Sequence, residues 1–353
     1  MSFAFVRNIN KFTIDVSLIS KYRSLLMGVG VINVLILHTI NWLELTGLFA
    51  KLLEFLNKMV FTHGFILLSG FGILYSLRKK SSYWAFLRKR IERVWLPFVI
   101  MDIPFALFYF FIGDYTFYEM LLDISSFDYF FYGKGMWYIS TTMILYFISP
   151  FIYKVIFSAH VQKAFLVRSV LFRFVCALII LSVVLMIMSK LLPNYFTLTY
   201  TAWEMFPIYL IGMYIGWMSI EGKKISIYII ILLVLFFLST YFFKSYSTLL
   251  EWVSTVDYRV LSILLISLIS NTLNKQIKFL ITFFEYLGKY SLEIYVLHLL
   301  VYFFVRRLLV LLAPNTDFNV NKLIIVAFVL CISIIIAPRV QKINCTIIER
   351  LKY

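Results

Sequence analysis

Apolar runs recur along the whole chain, separated by short stretches in which the charges collect. Near the N-terminus lies Tyr22–Trp42 (YRSLLMGVGVINVLILHTINW), in which Leu25–Leu37 is broken only by small residues and one Asn. Runs of this length predict membrane-spanning helices, because about 20 apolar residues at 1.5 Å rise cross a hydrocarbon core of about 30 Å. Ten such helices are predicted, near 25–44, 59–77, 94–112, 136–157, 165–189, 203–219, 225–243, 258–273, 291–312 and 320–337. No internal repeat or long polar linker divides them. Residues 1–353 therefore read as a single all-α integral membrane domain, a polytopic bundle of about ten transmembrane helices. Residues 1–22 are interrupted by Arg7, Lys11 and Asp15 and lack an apolar core followed by small residues, so the first helix is expected to be retained. Phe3, Phe5, Val6, Ile9 and Phe12 suggest that this segment lies in the membrane interface.

Composition supports the membrane reading. The chain is 62% hydrophobic and 14% charged, with mean hydropathy +0.92, whereas about a quarter of a soluble domain is charged. A net charge of +16 would suggest nucleic acid in a soluble protein. Here Lys and Arg cluster in loops, so the charge reads as topology and contact with anionic headgroups of the bilayer, with no nucleic-acid partner. Between Leu77 and Val94 stand seven basic residues against Glu92, which places that loop in the cytoplasm. Asp114, Glu119, Asp123 and Asp128 mark the next loop as external. Alternation through ten helices leaves both termini cytoplasmic. Cys176, Cys331 and Cys345 are scattered without ligand spacing, so neither a metal site nor a disulfide framework is expected.

Candidate chemistry begins at His38. It lies about 20 Å along the helix from Leu25, in the outer half of the first span, and an ionisable residue at that depth is a functional candidate. The competing account is a neutral imidazole bonded to a neighbouring helix. Ser69-Gly70 in ILLSGFG permits close helix packing. Arg90 and Arg93 in FLRKRIERVWLPF are three apart, so they share a helical face, and Pro97 is expected to start or kink the third span. The pair suits phosphates through its forked donors, or serves only as a cytoplasmic anchor. In GKGMWYISTTMILYFISPF, Trp137 and Tyr138 open a helix that carries Tyr146 and Pro150. GKYSLEIYVLHLLVY brings Ser291 and Glu293, then Tyr295, His298 and Tyr302 as one polar stripe.

The order of these motifs resembles the membrane-bound acyltransferase-3 family, the polysaccharide and cell-envelope O-acyltransferases, over Tyr22 to Tyr302. What the resemblance implies is a ten-helix enzyme of the cytoplasmic (inner) membrane. It would take an acyl group, usually acetyl, from cytoplasmic acyl-coenzyme A, with no permanently bound cofactor. The acceptor would be a hydroxyl of a cell-surface, exported or lipid-linked glycan, with the first-helix His38 as the catalytic residue. Arg90 and Arg93 would then bind the donor's phosphates. Ser69, Trp137, Tyr138, Tyr146, Glu293 and His298 are the candidates for substrate contact or oxyanion stabilisation. The sequence departs from the family pattern at Met27, where a basic residue is common, at Thr142 for Glu, at His63 for Asp and at Met205 for Arg. Two rival classes remain open from the residues alone: a transporter or flippase of a lipid-linked glycan, and an accessory membrane subunit without chemistry.

Overall fold

The structure, a computed structural model, describes residues 13–60, 64–79, 82–158, 163–226, 248–312 and 318–351, together with Tyr228 and Ile231. Among the described residues the regular structure is helical apart from one short two-stranded ribbon. Among the described residues six helices are long and apolar enough to cross a membrane, with shorter apolar helices at Gly64–Arg78 and Val260–Thr272. The expected span at 225–243 falls mostly outside the described residues, as do His63 and the apolar positions Phe3 to Phe12. The elements form two groups, residues 1–68 with 215–291 and residues 69–214 with 292–353.

The first group contains β1 (Thr13–Asp15), α1 (Arg23–Leu43), α2 (Gly47–Val60), β2 (Lys224–Ser226), α11 (Thr248–Thr272) and α12 (Lys278–Lys289). β1 and β2 pair antiparallel with Thr13 opposite Ser226. Ile14 packs with Leu261 there, joined by Leu18, Ile225, Leu265 and Leu268. Residues 13–22 form a strand and one helical turn with Ile14, Val16, Ile19 and Tyr22 all buried.

α1 and α12 cross at a distance that only glycine allows. A Cβ on Gly28 would fall on the Phe284 carbonyl, and one on Gly288 would fall on the Ser24 carbonyl. The Ser24 hydroxyl donates to the Glu285 carbonyl at 3.1 Å across the same seam. Small residues facing each other let two backbones touch where lipid supplies no hydrophobic drive. That is a structural use for Gly28.

The second group holds α3 (Gly64–Arg78) beyond Leu68, α4 (Tyr83–Phe111), α5 (Phe117–Ser125), α6 (Asp128–Tyr132), α7 (Trp137–Ile156), α8 (Lys163–Leu191), α9 (Pro193–Trp203), α10 (Met205–Ile220) up to Tyr214, α13 (Ser291–Leu312) and α14 (Phe318–Arg350). Pro97 does not start the third span. α4 begins at Tyr83, and Ile91–Trp95 widens into a π-helical turn just before the proline. Proline lacks the N–H that would bond the carbonyl four residues back, and a widened turn absorbs that loss without breaking the helix.

Directions alternate as successive crossings require. Tyr83 at the start of α4 meets Phe147 and Phe151 late in α7, so the two are antiparallel. Phe105 and Phe108 of α4 meet Phe304 of α13, and just beyond α4 Asp114 pairs with Arg307. α13 therefore runs parallel to α4. The stretch read from sequence as an external loop is folded. Phe110 meets Phe117 at one end of α5, and the Trp95 indole donates to the Ser125 carbonyl at 3.1 Å at the other. α5 thus turns back along α4 and buries Asp128 against Gly135, whose φ of +79° and missing Cβ leave room for the carboxylate.

Candidate active site

The group at residues 69–214 and 292–353 holds a cavity of about 670 Å³. Its cations come from Lys79, at the end of α3, and from Lys89, Arg90 and Arg93 on α4. Glu293 of α13 and Gln341, Asn344 and Glu349 of α14 complete its polar wall. Arg90 and Arg93 therefore do face one space, as their spacing predicts, even though the helix is π-wound between them. Volumes of roughly 300–1,000 Å³ are usual for small-molecule sites. Four cations against three carboxylates (Glu92, Glu293 and Glu349) leave the lining net positive.

Arg90 is anchored from behind. One Nη2 donates to the Ser76 hydroxyl, and the guanidinium lies over the rings of Phe86 and Tyr146, 5.4 and 5.7 Å from their centres. Tyr146 is held in turn by a 2.7 Å hydrogen bond with Ser69, and Ser149 bonds Tyr209 at 2.6 Å. Gly70 meets the Tyr209 carbonyl so closely that a Cβ would overlap it. The Ser69-Gly70 pair thus has two jobs. Glycine brings α3 onto α10, and serine orders the tyrosine under the arginine. Tyr146, a sequence candidate for substrate contact or oxyanion stabilisation, lies with its ring beneath Arg90 and its hydroxyl against Ser69.

Glu293 is 4% exposed and shares the cavity with the arginines. Gln341 donates to it over a long 3.5 Å. One turn further along α13, His298 is fully buried, with Nδ1 3.0 Å from the Ile294 carbonyl, so that nitrogen carries the proton. Tyr295 meets His298 on one side and Tyr138 on the other, with ring centres 5.8 and 5.1 Å away. Trp137 touches Tyr138 edge-on at the start of α7. The polar stripe of Tyr295, His298 and Tyr302 is real and faces the protein interior.

His38 belongs to the other group of elements. It is half-buried on α1, 15 residues past Arg23 by number, with its ring 5.4 Å from that of Trp42 in a tilted stack. Four residues separate the two, so they share a helical face. The crossing at Gly28 fixes the helix that carries it against α12.

Sequence reading missed the wall that α14 supplies. It placed the end of the last helix at residue 337, yet the helix continues to Arg350 through Pro338. The signal was present. Ser333, Ala337, Asn344 and Ile348 are buried at helical spacing, with Gln341 half-buried between them. Lys79 and Lys89 were read only as topology signals, and Ser76 not at all.

A family model described as an acyltransferase domain matches residues 24–338, almost the whole chain. The chain belongs to the acyltransferase-3 family. It is a multi-pass membrane acyltransferase. The matched span of this acyltransferase takes in His38, Arg90, Arg93 and Glu293, and it ends before Gln341, Asn344 and Glu349. No curated protein sequence and no solved structure matches the acyltransferase.

Proposed function

We propose that this acyltransferase moves an acyl group, acetyl by preference, from cytoplasmic acyl-coenzyme A to a hydroxyl of a cell-surface or exported glycan. The observation that carries the reading is the cationic cavity around Arg90 and Arg93 in an acyltransferase whose usual donor is a polyanion. Lys79, Lys89 and the two arginines supply the charge that a diphosphate and a ribose phosphate need, and arginine adds paired donors of fixed geometry.

The proposed orientation follows the basic loops. Both termini and the Arg78–Arg93 segment lie in the cytoplasm, and ten spans leave His38 in the outer half of the membrane. In the transfer itself, neutral His38 accepts the proton of the acceptor hydroxyl as its oxygen attacks the thioester carbonyl. The C–O bond forms, the C–S bond breaks, and the departing coenzyme A thiolate takes up a proton. Tyr138 or Ser69 is the candidate donor to the oxyanion of the intermediate. An acyl-His38 intermediate followed by transfer to the hydroxyl gives the same balance.

Purified acyltransferase in lipid nanodiscs should release coenzyme A thiol from acetyl-coenzyme A. Mass spectrometry of surface glycans from cells with and without the gene should differ by one acyl mass per modified unit. Thiol release without any change in glycan mass would remove the acceptor class. No thiol release and no donor binding would remove the donor and favour a carrier without chemistry.

A further inference from the structure

Asn344 is the feature of the cavity that donor charge does not explain. It is 2% exposed, yet among the described residues neither its Nδ2 nor its Oδ1 has a hydrogen-bond partner. Buried amides are almost always satisfied, so one with both polar atoms unpaired needs an explanation. It lies on α14 three residues after Gln341, in the wall of the cavity that holds Lys79, Lys89, Arg90 and Arg93. We infer that Asn344 reads the adenine base of the donor, with Oδ1 accepting from the 6-amino group and Nδ2 donating to the adjacent ring nitrogen. This deepens the acyl-coenzyme A reading and rests on it.

The chemistry narrows the choice. A carboxamide offers an acceptor and a donor side by side, and the 6-amino and N7 edge of adenine complements both. The four cations favour an anionic entrant, which the donor's phosphates make it. In coenzyme A the 3′-phosphate and the diphosphate sit on the adenosine ribose, so phosphates held by the arginines bring the base within a few ångströms of them. The pantetheine arm also carries amides. Each presents its N–H and its carbonyl on opposite sides, so a single carboxamide meets only one of them. Asn344 lies beyond the residues that match the family model.

The test uses full-length protein in nanodiscs. Coenzyme A, adenosine 3′,5′-bisphosphate and the purine riboside bisphosphate lacking the 6-amino group are titrated against wild type, N344L and N344D. Wild type should bind the adenosine compound at least about fivefold more tightly than its deamino analogue, the low end for a paired base contact. In N344L that preference should vanish. R90A should weaken both bisphosphates and keep their ratio. N344D holds the shape and the acceptor, so it should lose affinity for adenosine while folding normally even if N344L does not. Equal affinity of wild type for the two bisphosphates would overturn the assignment and leave the donor reading standing. So would a preference that survives in N344L. Loss of coenzyme A affinity in N344L with adenosine bisphosphate unchanged would move the amide to the pantetheine arm, which also refutes the base contact. Failure of wild type to bind any of the three would remove the donor reading and this inference with it.

Discussion

Arg90 allows its structural and functional roles to be separated, because the two have different chemical requirements. Its internal partners are the Ser76 hydroxyl and the faces of Phe86 and Tyr146. Removing the side chain in R90A forfeits one charged hydrogen bond, about 1.5–3 kcal/mol, and cation–π attraction of about 0.5–2 kcal/mol. The variant should therefore melt earlier than wild type. If the free face of the guanidinium also holds a donor phosphate, a second charged hydrogen bond of about 1.5–3 kcal/mol is lost on binding. At about 1.4 kcal/mol per tenfold, the dissociation constant for acetyl-coenzyme A should then rise about 10- to 150-fold. R90K separates the two roles. It keeps the charge, but one ammonium cannot bridge Ser76 and a phosphate with a rigid fork. Its affinity should fall between those of wild type and R90A. Titration in nanodiscs, with a thermal melt of each variant as control, reads both quantities. A folded R90K/R93K double variant with unchanged donor affinity would refute the phosphate role and leave the pair as a topology anchor.

His38→Gln keeps a hydrogen-bonding amide against Trp42 and removes the basic nitrogen; acyl transfer should fall by about two to four orders of magnitude with donor binding retained, and near-normal turnover would make His38 structural. Gly28→Ala places a methyl on the Phe284 carbonyl; about 1–3 kcal/mol of destabilisation is expected, seen as a lower melting temperature, and an unchanged melt would show that the seam opens freely. Burial pushes the Asp128 carboxyl up to about 8 and that of Asp123 up to about 6. The folded state thus holds protons that the unfolded chain releases near pH 4, so stability should rise as pH falls from about 8 toward 4. D128N should flatten that slope across the upper part of the window, and an unaltered pH profile of its melting temperature would exclude Asp128 as the source.

What could be read from the sequence divides along physical lines. α1, α7 and α13 were legible because each is a long apolar run with charges at its ends, and hydropathy averages report that pattern directly. Arg90 and Arg93 were legible as partners because helical spacing is local. The amphipathic helices α2 and α12 were not. GLFAKLLEFLNKMV and KFLITFFEYLGK carry charges that lower their average, so a search for spans passes over them. The pairing of Thr13 with Ser226 joins residues more than 200 positions apart and has no local sign. α4 and α14 were both cut short, because charge at one end and Pro338 at the other look like termini. The cavity wall lost its α14 side for that reason, and Asn344 with it. The burial of Asp123 and Asp128 was hidden too, since an acidic loop looks the same in sequence whether it floats in water or packs against a helix.

The lengths of α4 and α14 have a consequence for how a polyanion can be used by an enzyme in oil. Twenty-nine and thirty-three residues make rods of about 43 and 50 Å, while the hydrocarbon layer is about 30 Å thick. Each must project from it by a dozen ångströms or more. Arg90 lies seven residues from the start of α4 and Asn344 six from the end of α14, so both stand on the overhanging parts. On the proposed reading of the cavity, a docked donor would keep its phosphates in the headgroup layer, where ions keep much of their hydration, and out of a medium in which an unpaired ion is expensive. Only its slender, neutral arm would be threaded inward. The overhang would then divide the donor at the join between its charged and uncharged halves.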